Sequence, residues 1–158
     1  MITQDPAVFF QSMSKIGRLL AYDMGTKTIG LALSDTRQMI ASPLTTLVKQ
    51  KSITHDWPDL QKIIEEHRIV GHVLGFPLNL NGTEGPRCQS VQQFAANLTE
   101  RLDTPILLWD ERLSTAAVER TMLEGDLSRK KRKQKVDQLA ATYILQGLID
   151  WKLFNIAN

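Results

Sequence analysis

The stretch that decides the fold is "LLAYDMGTKTIGLALSD", residues 19–35. Residues 18–23 read as an apolar strand that ends on an acid, Asp23, and residues 28–35 as a second strand. The turn between them is short. Residues 39–49, "MIASPLTTLVK", read as a third and weaker strand, in which Pro43 favours an edge or a bulge. Three consecutive strands with short connections predict an antiparallel meander.

The pattern then alternates. "DWPDLQKIIEEHR" (56–68) has helical spacing, with Leu60, Ile63 and Ile64 on one face. "IVGHVLGF" (69–76) is a strand, and "PLNLNGTEGPR" (77–87) is a loop by its Pro, Asn and Gly content. A helix follows, carrying Val91, Phe94, Ala95, Leu98 and Leu102 at offsets of three and four. "PILLW" (105–109) is a short buried strand that runs into Asp110 and Glu111. Residues 114–125 read as a helix, with Ser114 as N-cap and Gly125 just past its end. A basic loop and a last helix over about 134–151 complete the chain. This order predicts an α/β fold: a mixed five-stranded sheet, three antiparallel strands then parallel additions, with helices on both faces. One domain over 18–151 is expected, between an N-terminal extension (1–17) and a C-terminal tail (152–158).

Composition narrows the class. The 158 residues suit one sizeable core, and no apolar run approaches the roughly 20 residues of a membrane span. The N-terminus has no basic stretch before a long apolar segment and is a poor signal peptide. A single cysteine, Cys88, forbids an intramolecular disulfide and fits a reducing compartment. No Cys/His cluster has zinc spacing, and His55, His67 and His72 are scattered. The net charge of +2 is modest, but "RKKRKQK" (129–135) holds six basic residues in seven positions. Such a run is ordinarily a solvated loop, and it can also grip phosphates.

Three acids stand where charge is costly. Asp23 and the pair Asp110 and Glu111 end strands, and sites in open α/β sheets form beyond the carboxyl ends of parallel strands. Each alone reads better as a turn residue or a helix cap. Asp137 shares a helical stripe with Ala140, Ala141, Ile144 and Leu148. The helix dipole tolerates an Asp in a first turn, but does not explain its place on the apolar stripe. Two carboxylates ~4 Å apart repel by about 4 kcal/mol at an effective dielectric of ~20. A hard divalent cation, Mg²⁺ or Mn²⁺, removes that cost and prefers oxygen ligands. Two such ions ~3.5–4 Å apart can drive phosphodiester hydrolysis. Lys130, Lys131, Arg132, Lys133 and Lys135, just before Asp137, would then hold a nucleic-acid backbone.

The segments "YDMGTKTIGLALSD", "VLGFPLNLNGTEGPR", "LLWDERLST" and "KVDQLAATYILQGLID", in this order, resemble the YqgF (RuvX) family of pre-16S rRNA nucleases, also described as resolvase-like. The resemblance covers about residues 18–151 and implies an RNase H-like fold. It implies that Asp23, Glu111 and Asp137 are the catalytic, metal-ligating acids, and it chooses Glu111 over Asp110. It places Asn79, Asn81, Gly82 and Thr83 on a loop beside the cleft. Lys27 and Arg112 are further candidate nucleic-acid contacts. The family often has Arg where this chain has Thr28, which removes one phosphate contact. The resemblance further implies a cytoplasmic nuclease that matures the 5′ end of 16S rRNA with one or two Mg²⁺ or Mn²⁺ ions. Its partners would be pre-rRNA, pre-ribosomal particles and a second copy of the chain, with no membrane. Structured DNA such as a Holliday junction is the rival substrate.

Two other classes are weighed. "DMGT" before a strand is similar to the phosphate hairpin of actin-like and sugar kinases, but those enzymes need two such domains and this chain has room for one. No P-loop motif is present. A nucleic-acid-binding protein without catalysis would use the basic run, yet three acids repel phosphate and make sense mainly with a cation.

Overall fold

The structure, a computed structural model, describes residues 1–49, 53–113 and 129–156, for 53 and 129–136 by the backbone alone. Its strands are β1 (Ile2–Thr3), β2 (Arg18–Met24), β3 (Thr28–Ser34), β4 (Ala41–Val48), β5 (Ile69–Phe76) and β6 (Ile106–Asp110). Its helices are α1 (Pro6–Gln11), α2 (Ile53–His67), α3 (Pro86–Thr99) and α4 (Arg129–Asn155), and a 3₁₀ turn covers Glu111–Leu113. The strands form one sheet in the order β1-β6-β5-β2-β3-β4. As expected, β2, β3 and β4 are an antiparallel meander, and β5 and β6 add in parallel beside β2. Pro43 lies on the edge strand β4, where the register with β3 shifts between Leu31 and Ala32. A proline cannot donate to the ladder, so both its predicted settings are met.

Side-chain alternation divides the sheet into two faces. Leu20, Tyr22, Leu31, Leu74 and Leu108 pack with Leu60 of α2 and Val91 and Leu98 of α3. Leu19, Ala21, Ala32, Val73 and Trp109 pack on the opposite face with Phe9 of α1 and Ala141, Ile144 and Leu148 of α4. Helices therefore cover both faces, as the sequence predicts.

The N-terminal segment differs from the extension read at 1–17. β1 adds in parallel to β6, making six strands rather than five. Asp5 caps α1, its Oδ1 accepting from the amide of Ala7 at 2.9 Å, and Pro6 opens the helix. Phe9 is fully buried. A cap, an N1 proline and one large aromatic are enough to seat a two-turn helix that its length alone could not hold.

The basic run differs too. Backbone residues 129–135 form the first two turns of α4 and not a loop. Arg, Lys and Gln are good helix formers, and no Gly or Pro interrupts residues 129–146. At the other end α4 continues four residues past the expected stop, to Asn155. There Lys152 donates to Gln38 Oε1 at 3.0 Å and lies 4.8 Å above the Phe10 ring. The helix expected at 114–125, with Ser114 and Gly125, lies outside the described residues.

Candidate active site

Asp23 is the penultimate residue of β2, which runs one residue further than expected, to Met24, and it lies on the face that α4 covers, in phase with Leu19 and Ala21. It is 3 % exposed, and Asp137 is 8 % exposed. The cross-strand partner of Asp23 on β3 is Gly30. A Cβ placed at Gly30 would come within 2.9 Å of the Asp137 Cβ and would overlap the Asp137 carbonyl. The missing side chain thus lets the helix backbone rest on the strand next to Asp23. On the other side, Tyr22 pairs with Leu74, which brings Gly75 alongside Asp23. A Cβ there would lie 2.6 Å from Ile144 Cδ1 and 3.2 Å from Glu111 Cδ. Asp23 is therefore flanked by two strand glycines, one covered by Asp137 and the other by the Glu111 side chain.

Alternation also separates Asp110 from Glu111. Leu107 and Trp109 face α4, so Asp110 turns to the other side, while Glu111, the first residue of the 3₁₀ turn, lays its side chain against Gly75 on the face of Asp23 and Asp137. Asp110 is engaged by Arg112. Arg112 Nη2 donates to Oδ2 at 2.7 Å, Nε donates to both carboxylate oxygens, and the Arg112 amide donates to Oδ1 at 3.0 Å. These bonds hold the Asp110 carboxyl below the usual carboxylate range. Arg112 Nη1 also donates to the Leu80 carbonyl at 3.2 Å, so the pair ties the strand end to the 77–85 loop.

That loop braces itself. Asn79 Nδ2 donates to Thr83 Oγ1 at 3.0 Å, and the Thr83 amide donates to Asn81 Oδ1 at 3.1 Å. Gly82 takes φ +84°, and its amide donates to the Asn79 carbonyl. Asn79 and Asn81 therefore serve the loop's own shape first. Lys27 is exposed on the β2–β3 turn. Lys130, Lys131, Arg132, Lys133 and Lys135 fall on the first two turns of α4, and their side chains lie outside the described residues.

One role escaped the sequence. The Thr28 hydroxyl donates to Asp137 Oδ2. Thr28, read only as a lost phosphate contact, is a holder of one of the acids.

The donor set is oxygen only, which suits a hard divalent cation. Among the described residues, no three carboxylate, imidazole or thiolate groups converge closely enough to hold an ion as they stand. Asp23 and Glu111 are each engaged in other interactions.

The profile of the RuvX family, described as Holliday junction resolvases, matches residues 17–151. The chain belongs to this family. A relative from Paramagnetospirillum magneticum, described as "Putative pre-16S rRNA nuclease", is 53% identical over 92% of this chain and 93% of its own length. One from Zymomonas mobilis, with the same description, is 50% identical over 90% of this chain and 86% of its own length. Among solved structures, Thermus thermophilus RuvC in complex with a Holliday junction substrate superposes with a TM-score of 0.55 at 11% identity, covering 88% of this chain and 97% of that one. The yeast mitochondrial Holliday junction resolvase Ydc2 gives 0.52 at 10% identity, over 92% and 82%. These two likenesses show the RNase H-like fold. Membership of RuvX places the chain among nucleases, hydrolases of phosphodiester bonds.

Proposed function

We propose that this RuvX member is a metal-dependent nuclease whose ligand set is Asp23, Glu111 and Asp137, acting in the cytoplasm on the 5′ end of pre-16S rRNA. The observation that carries the reading is the pair of glycines beside Asp23, each giving its face to another acid. Three acids gathered on one sheet face repel unless a cation joins them. When bound, one or two Mg²⁺ or Mn²⁺ ions supply Lewis acidity at the scissile phosphate. Asp23 and Asp137, buried and fixed by strand and helix, orient the ligand set, and Thr28 holds the Asp137 carboxylate in one rotamer. Arg112 and Asp110 keep the 77–85 loop at the mouth of the site. The first turns of α4 bring a basic run to the same end of the sheet as Asp137.

The descriptions of relatives at about half identity favour pre-rRNA as substrate. The family description favours a four-way DNA junction as the second reading. The test is cleavage of matched RNA, DNA and junction substrates with Mg²⁺ or Mn²⁺, with Asp23→Asn as control. Cleavage of the RNA that needs the ion and is lost in a folded Asp23→Asn variant is expected. Full cleavage by Asp23→Asn, Glu111→Gln and Asp137→Asn would remove the mechanism, and preference for the junction would replace the substrate.

A further inference from the structure

A second polar site lies at the same end of the sheet, on the side that α3 covers. The turn that follows β2 floors a cavity of about 220 Å³, walled by Lys49 and Arg87 with Thr26 and Ser90 beside them. Lys49 Nζ donates to the Gly25 carbonyl at 3.2 Å, and Arg87 Nη2 donates to the Met24 carbonyl at 3.1 Å. An ammonium has three donors and a guanidinium five, so each keeps donors after those bonds. Among the described residues, neither cation has a salt bridge to a carboxylate. Arg87 also stands in the first turn of α3, whose cap, Gly85, supplies no side-chain acceptor. The positive end of the helix dipole adds to the two charges. Two cations, a helix start and two hydroxyls around one small cavity select an anion. The volume suits a phosphate group with water and is below the roughly 300–1,000 Å³ of pockets that enclose whole small ligands.

Gly25 is two residues beyond Asp23, so the cavity opens within roughly 7 Å of chain from that acid. We propose that Lys49 and Arg87 form a subsite for a backbone phosphate of the nucleic acid, close to the phosphate that is cut. This rests on the nuclease reading above, and it makes the β2–β3 turn a saddle with acids on one flank and cations on the other.

The plain alternative is that both side chains only brace the turn. Binding of a fluorescein-labelled structured RNA by the full chain, followed by anisotropy without divalent ions across a KCl series, separates the two. Lys49→Met and Arg87→Gln should each weaken binding several-fold and flatten the slope of log K against log salt by about 0.7–0.9. Lys49→Arg should keep the slope. Arg87 is exposed, so its variant keeps the test open if Lys49→Met unfolds. Variants that lose thermal stability but keep the wild-type slope would show bracing alone and overturn the subsite, with cleavage by the wild type leaving the nuclease reading intact. A wild type that neither binds nor cuts nucleic acid would overturn both.

Discussion

Thr28 donates its hydroxyl to the carboxylate of Asp137, 109 residues further along the chain. It does so from the first position of β3, half-buried beneath α4. A hydrogen bond to a charged group contributes about 1.5–3 kcal/mol. If it fixes Asp137 for catalysis, its loss should appear in the rate. Thr28→Val, which keeps the shape, should slow cleavage about tenfold or more, whereas Thr28→Ser should stay near wild type. Single-turnover cleavage at saturating Mg²⁺ measures this. An unchanged rate in Thr28→Val would leave the bond as packing only.

Gly30 makes the second contact with Asp137. A methyl group there would collide with helix backbone rather than with a flexible side-chain end. Backbone cannot step aside without moving α4, so Gly30→Ala should cost about 1–3 kcal/mol of stability. It should also slow cleavage far more than that loss of folded protein accounts for, because Asp137 moves with the helix. Urea denaturation and cleavage rates on the same preparation check both. A fully stable, fully active Gly30→Ala chain would show that the approach of α4 to β3 is loose.

Much of this was legible in the residues, and the exceptions share a cause. The meander, the strand–helix alternation and the helices on both faces follow from local period and turn chemistry, which the sequence displays directly. The strand ends of Asp23 and Asp110–Glu111 were equally plain. The choice between Asp110 and Glu111 was not, because "PILLWDE" is apolar on both faces and its phase has meaning only once α4 is known to cover Trp109. The Thr28–Asp137 bond joins residues too distant for any spacing rule. The basic run reads as a loop when charge is weighed above helix propensity, and residues 1–17 read as a short, partly ordered extension although "DPAVFF" carries a cap, an N1 proline and a core aromatic.

Phe9 offers a direct measure of that last point. It is fully buried between the sheet and α4, against Leu19 and the bare face of Gly71. Truncating a buried phenylalanine costs about 3–5 kcal/mol. Phe9→Ala should therefore lower the melting temperature by roughly 10 °C in a chain of this size. Thermal unfolding by circular dichroism reads it. A shift below a degree or two would return residues 1–17 to a loosely attached extension.

His72 sets a pH limit on the fold. It is fully buried on β5, its Nδ1 is 2.9 Å from the Tyr22 hydroxyl, and its Nε2 has no hydrogen-bond partner among the described residues. Burial away from water disfavours the imidazolium and pushes its pKa down to about 3, and the same burial pushes the Tyr22 phenol up. Above the unfolded-state value of about 6.5 the imidazole is neutral in both states, and it contributes no pH dependence. Below it the unfolded chain takes up a proton that the folded chain refuses, so stability is lost as pH falls. The slope reaches about 1.4 kcal/mol per pH unit between ~6.5 and ~3. Urea unfolding of wild type and His72→Phe at pH 7, 6 and 5 isolates the effect, since few carboxylates titrate there. His72→Phe should start less stable at pH 7, having lost the Tyr22 bond, yet lose less with each step down. Parallel slopes in the two proteins would assign the acid sensitivity to another group.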